Sequence, residues 1–231
     1  MKPQKIIMVL DTETASLEGH VYDVGFTITN RKGEILFSYN ALVREVFTDA
    51  RLMMGAFYAR KMFTHYPAML TNGDIEIKDW LEIVADIRAA CRTYGVTVLA
   101  AYNLAFDRRV MAATNALYGD GKPIFKTPVS LLDIWRFCCE TKLSQANYKR
   151  LAYEKGWVSD KGNIKTGAEN SYRYITGDWD FIEDHTALSD AIIETVILAA
   201  CYASRKRIPY NMIRDKYAYH PWKIVNDNRA F

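Results

Sequence analysis

Apolar and polar positions divide the chain into short strands and amphipathic helices. After Lys5, five apolar residues (Ile6 to Leu10) run without a break into Asp11-Thr12-Glu13-Thr14, so residues 5–10 are expected to form a first strand. Val21 to Asn30 alternates as a second strand, in which Gly25 would let another backbone come close. Asn30-Arg31-Lys32-Gly33 reads as a turn, and Glu34 to Val43 as a third strand antiparallel to the second. Residues 46–72, rich in Met, Phe, Tyr and Ala, read as one helix followed by a loop. Trp80, Ile83, Val84, Ile87, Cys91 and Tyr94 recur at helical spacing and predict a helix over 78–94, ended by Gly95. Val96 to Ala101 is wholly apolar, as a strand covered on both faces would be. A helix is expected from Asn103 to Tyr118, stopped by Gly119-Asp120-Gly121. Pro128 precedes a short strand, Val129 to Leu132, which leads to Asp133 and a helix to Lys142. Residues 147–180 mix short helices with basic and turn residues, and His185 to Ala203 carries a long apolar stripe (Leu188, Ile192, Val196, Ala199). Three strands followed by strand–helix alternation predict an α/β fold, a mixed sheet with helices on its faces.

Length and composition narrow this picture. With 231 residues, half of them apolar and a quarter charged, the chain is expected to form one globular domain with a sizeable core. No stretch approaches the ~18 consecutive apolar residues of a membrane helix, and no secretory signal is read before Asp11. Cys91, Cys138, Cys139 and Cys201 show neither a C-x-x-C pair nor a zinc-type spacing, so free thiols in a reducing compartment are expected. A net charge of +3 permits an anionic partner without requiring one. The segment 204–231 is polar, basic and aromatic (Arg205, Lys206, Arg207, Tyr210, Tyr217, Tyr219, Trp222) and is expected to lie over the surface of the same domain.

The acids at the end of the first strand change the reading most. Side chains alternate along a strand, so Asp11 and Glu13 point the same way and repel. A cation between them would settle that, and hard oxygen ligands suit Mg²⁺ or Mn²⁺; a strand ending in a polar capping loop would carry the same residues. Asn103 and Asp107, four apart, share one face of a first helical turn, as a metal ligand or as a capped helix with an acid on its dipole. Asp190 sits within an otherwise apolar helix, where an acid is unusual unless paired. His185, beside Glu183 and Asp184, reads by itself as a surface histidine as readily as a catalyst.

Taken in order, Asp11-x-Glu13, Asn103-x-x-Phe106-Asp107 and His185-x-x-x-x-Asp190 resemble the three motifs of the DnaQ-like 3′–5′ exonucleases of the histidine-containing (DEDDh) subclass, over roughly residues 5–203. Val21-Tyr22-Asp23-Val24-Gly25 and Leu132-Asp133 look like that family's second strand and the end of its fifth. The first motif departs from the family in continuing with Ala15-Ser16, and residues 46–72 and 204–231 match nothing in it; such decorations resemble phage-encoded members.

The resemblance implies a ribonuclease H-like sheet of five strands, three antiparallel and then parallel, in an exonuclease domain over 1–203 with the tail packed on it. It implies two divalent ions held by Asp11, Glu13, Asp107 and Asp190, with Asp11 bridging them and Asp107 acting partly through water. His185 would take the proton of the attacking water, and its five-residue offset from Asp190 puts it on the loop or first turn. Thr12, Thr14, Leu17, Asn103 and Phe106 fall where the terminal nucleotide is expected to be held. The implied partners are 3′ ends of single-stranded DNA or RNA, with a polymerase or a second copy left open, in the cytoplasm of a bacterial or phage-infected cell. Lys142, Lys149, Arg150, Lys155, Lys161 and Lys165, interleaved with Tyr148, Tyr153 and Trp157, read either as a single-strand track or as a solvated lysine-rich face. A nucleic-acid-binding module without catalysis, or an oligoribonuclease-like enzyme for short oligonucleotides, would keep the same motifs.

Overall fold

The first three strands fold on one another as an antiparallel meander, β1 (Ile7–Ser16), β2 (Gly19–Thr29) and β3 (Ile35–Val43), in a computed structural model that describes residues 5–125, 129–204, 206–213 and 220–227. Pro128 and the tail residues Arg205, Tyr217 and Tyr219 lie outside the described residues. β1 does not end at Leu10. Its ladder with β2 continues through Asp11↔Gly25 and Glu13↔Asp23, and a register shift after Glu13 carries it on to Ser16.

β4 (Glu76–Lys78), β5 (Val98–Ala101) and β6 (Ser130–Asp133) complete a mixed sheet of six strands in the order β4-β3-β2-β1-β5-β6. β5 lies parallel to β1, β6 to β5 and β4 to β3, so β2 alone runs against the rest. The sheet thus has the expected antiparallel-then-parallel plan with one strand more than the expected five. The extra strand is β4, whose three residues, Glu-Ile-Lys, are too few to show a period.

The single helix expected within 46–72 is instead four short ones: α1 (Arg44–Phe47), α2 (Ala50–Met54), α3 (Lys61–Thr64) and α4 (Tyr66–Asn72). The breaks have local causes. Asp49 accepts the Arg51 and Leu52 amides to start α2, Pro67 occupies the first turn of α4, and Gly73 ends it in the left-handed conformation at φ 78°. α5 (Trp80–Tyr94) carries a capping box between Asp79 and Glu82 and stops at Gly95 with φ 66°. α6 (Leu104–Tyr118) follows β5, and α7 (Ile134–Cys138) follows β6 and runs on as a π-helix, Cys139–Leu143. Then come α8 (Ala146–Glu154), α9 (Ala168–Thr176), α10 (Ala187–Ala203) and α11 (Trp222–Asn226).

Alternation along β1 divides the core in two. Met8 and Leu10 pack with Ile83, Val84 and Ile87 of α5 and Val110 of α6, whereas Ile7 and Val9 pack with Phe137 of α7 and Ile197 and Leu198 of α10. Asp11 and Glu13 continue the second set by parity, so they face α10. That helix is held close by Gly25: a Cβ there would lie 2.1 Å from the Leu188 amide nitrogen and 2.2 Å from the Ala187 carbonyl carbon. Residues beyond α10 return to the sheet, where Asn211 pairs with the outer edge of β6 through its amide to the Leu131 carbonyl (2.7 Å) and its side-chain oxygen from the Leu131 amide (2.8 Å).

Candidate active site

β5 pairs with β1 only along Ile7–Val9, so the second half of β1 projects beyond the parallel strands, and the acids of three elements gather there. β1 supplies Asp11 and Glu13. α6 begins at the end of β5 and buries Asp107 in its first turn, where Asp107 Oδ1 accepts the Thr12 hydroxyl at 2.9 Å. The Thr12 side chain therefore orients a carboxylate. Asn103 adopts φ 75°, and its side chain does not cap the helix; only its carbonyl does, accepting the Phe106 amide at 2.8 Å.

α10 starts at Ala187, two residues later than expected, because His185 sits at φ 60° and Thr186 is extended. The Thr186 hydroxyl donates to Asp184 at 2.9 Å and so is spent outside the helix. Asp23 on β2 takes over the capping: its Oδ2 accepts the Ala187 amide at 3.1 Å and the Tyr66 hydroxyl at 2.8 Å. This fixes the first turn of α10 over Gly25 and sets Asp190 against the β1 acids.

Asp190 is buried, and its Oδ1 has no hydrogen-bond partner among the described residues. One ligand atom each from Glu13, His185 and Asp190 lies within 4.8 Å of the other two. Asp11 and Asp107 are not in that group. They adjoin it, together with Glu194, which lies one turn along α10 from Asp190 and accepts the Tyr102 amide at 3.0 Å. Burial raises the pKa of Asp11 well above the carboxylate range, reinforced by Glu194, Asp107, Asp190 and Glu13 in that order. Asp107, Asp190 and Glu194 are raised too, first by burial. Glu13 is pushed up to about 7 by burial, against the pull of Lys61. A pocket whose acids all hold protons more tightly than usual is one short of positive charge.

Sequence reasoning passed over three of these neighbours. Glu194 carried a signal, since it shares a helix face with Asp190 at a spacing of four. Tyr58 and Lys61 carried none. The Tyr58 ring stacks on His185 with centroids 4.1 Å apart and planes 14° apart. Lys61, 5% exposed, places Nζ 3.3 Å from Glu13 Oε1 and within 5.9 Å of the ring centres of Tyr22, Tyr58 and Tyr66. His185 Nδ1 lies 3.8 Å from Glu183 and 4.0 Å from Asp190 Oδ2, and partial burial, then Lys61, lower its pKa.

At the rim, Leu17 and Phe57 are exposed and Phe106 lies under the Arg109 guanidinium at 5.4 Å. Thr14 on β1 is half-buried. The lysine-rich stretch is divided: Tyr148, Lys149 and Trp157 are buried, with the Tyr148 hydroxyl donating to the Lys165 carbonyl, whereas Arg150, Tyr153, Lys155, Lys161 and Lys165 are exposed.

No family model matches the chain, and no curated protein matches it. Among solved structures it is similar to exonuclease X in complex with 5′ overhanging duplex DNA, with 19% identity and a TM-score of 0.47, over 86% of this chain and 92% of that one. No helix among the described residues is long and apolar enough to cross a membrane.

Proposed function

We propose that the protein is a metal-dependent nuclease, a 3′–5′ exonuclease of the histidine-containing kind that its three motifs resemble, releasing 5′-mononucleotides from DNA or RNA ends. The observation that carries this reading is the buried Asp190 oxygen that has no hydrogen-bond partner among the described residues, set among Asp11, Asp107 and Glu194. Hard carboxylate oxygens short of positive charge fit Mg²⁺ or Mn²⁺. Such ions, held by Asp11, Asp107 and Asp190 with Glu13 alongside, would lower the pKa of the attacking water and offset the charge developing on the phosphate.

The chain's own groups have distinct parts in this scheme. His185, whose pKa is lowered first by partial burial and then by Lys61, takes the proton of the water, and Tyr58 stacks on its ring. His185, at positive φ just before the helix begins, has Nδ1 4.0 Å from Asp190 Oδ2. Thr12 holds Asp107 in one orientation. Leu17 and Phe106 at the rim, with Thr14 and Asn103 near the strand and helix ends, are the proposed contacts of the terminal nucleotide.

Digestion of matched DNA and RNA oligonucleotides of several lengths, single- and double-stranded and labelled at either end, tests the reading. Label at the 3′ end should leave first as mononucleotide with Mg²⁺ or Mn²⁺, stop with EDTA, and slow by ~10²–10⁴ in His185→Ala. An intact substrate under every metal condition would reduce the protein to a binding module. Turnover confined to the shortest substrates would mark an oligoribonuclease-like enzyme.

A further inference from the structure

The carboxylates of the pocket fall into two groups with opposite needs. Around Asp11 lie Glu194, Asp107 and Asp190, and one oxygen of Asp190 meets no donor among the described residues. Glu13, by contrast, has both oxygens met by the protein: Oε1 lies 3.3 Å from the Lys61 ammonium, an ion pair in which Nζ makes no hydrogen bond among the described residues, and Oε2 accepts the Tyr22 hydroxyl at 3.5 Å. Lys61 is also not free to wander. It reaches the pocket from α3, is almost wholly buried, and has its ammonium ringed by three tyrosines. Neighbouring Tyr58 fastens the same segment to His185.

A divalent ion seated between Glu13, His185 and Asp190 would stand within a few ångströms of that ammonium. Like charges so close in a poorly solvated pocket repel strongly. We infer that Lys61 is a resident cation of the site: it fills the Glu13 side, so the pocket takes one tightly held divalent ion, on the side of Asp11, Asp107 and Asp190. This rests on the metal-dependent reading above and sharpens it, because the resemblance alone implies two ions.

Titration of the metal-stripped full chain with Mn²⁺, followed by calorimetry and by the Mn²⁺ spin-resonance signal without nucleic acid, reads the number of ions directly. Wild type should bind one ion and Lys61→Arg, which keeps the charge, one as well. Lys61→Met should take up a second ion, or bind one at the Glu13 side at least ~10-fold more tightly than wild type. Two ions in wild type, with affinities unmoved in Lys61→Met, would overturn the inference and leave the metal-dependent reading standing; no Mn²⁺ bound by wild type would remove that reading itself. Should Lys61→Met fail to fold, Glu13→Gln decides. If Glu13 serves the lysine, the affinity for the single ion stays within ~3-fold; a loss of that ion would make Glu13 its ligand and sink the proposal.

Discussion

Asp190 shows at the scale of one residue how a functional group costs stability. Its carboxylate is desolvated, one oxygen is unsatisfied, and its neighbours Glu183, Glu13 and Asp184 raise its pKa further. A charge in that position is costly to the folded chain unless a cation meets it. Asp190→Asn removes the charge and keeps the volume. In EDTA at pH 8 it should therefore gain about 1–3 kcal/mol of stability, the range for a relieved buried polar group, while losing the proposed nuclease activity. Thermal melts with and without Mg²⁺ check this: wild type should gain from the ion and the variant should not. A variant less stable than wild type in EDTA would show that the Asp190 charge is already compensated.

At the scale of elements, the site depends on how α10 meets the sheet. Asp23 caps its first turn from β2, Gly25 removes the side chain that would hold it off, and further along Thr27 and Thr195 share a hydrogen bond of 2.6 Å. Gly25→Ala puts a methyl group into the Leu188 backbone. The expected cost is about 3 kcal/mol or more, read from urea denaturation, with activity falling as Asp190 and Glu194 move from β1. Unchanged stability would mean that the helix can retreat freely. The Gly25 approach was legible in the sequence, as was the presence of β1 to β3, α5 and α6, because apolar runs and glycine stops mark them, although β1 runs past Leu10 to Ser16 and the Asn103 side chain does not cap α6. Asp11 and Glu13 were legible for the same reason, since strand parity puts them on one face. The four helices from Arg44 to Asn72 were not, because capping and proline there outweigh a composition that suits one helix. Tyr58 and Lys61 owe their place to that segment's packing on Tyr22 and Glu13, which no local pattern announces. Glu194 was hidden differently: its spacing from Asp190 was visible, yet the apolar residues around it read as core.

Across the whole molecule, charge is sorted by depth. Among the described residues, the buried acids Glu13, Asp23, Asp107, Asp133, Asp190 and Glu194 outnumber the buried bases Lys61, Arg136 and Lys149, so the remainder of the chain is more cationic than the net +3 states. An interior short of positive charge beneath a more basic exterior suits a polyanionic partner, and it makes stability depend on pH with a definite sign. Glu13 and Glu183 are raised to about 7 and Asp23 to about 6, in each case first by burial. Between their unfolded values, near 4, and those folded values, the folded chain holds protons that the unfolded chain has released. Stability from these groups is therefore fully present below the lower bound and is lost as pH rises toward 7, and Asp190 extends the loss further. Asp120 works in the other direction, but only in strong acid: Arg88 lowers it to about 2, so its contribution is present above pH 4 and fades on the way down. The metal-free protein should accordingly melt higher at pH 5 than at pH 8. Mg²⁺ should narrow or reverse that difference, because a bound cation favours the ionised carboxylates that acid would otherwise have to neutralise. Calorimetric melts from pH 5 to 8 in EDTA and in Mg²⁺ measure both slopes. A melting temperature in EDTA that climbs over this range would mean that the gathered acids are not the desolvated set on which the metal-dependent reading rests.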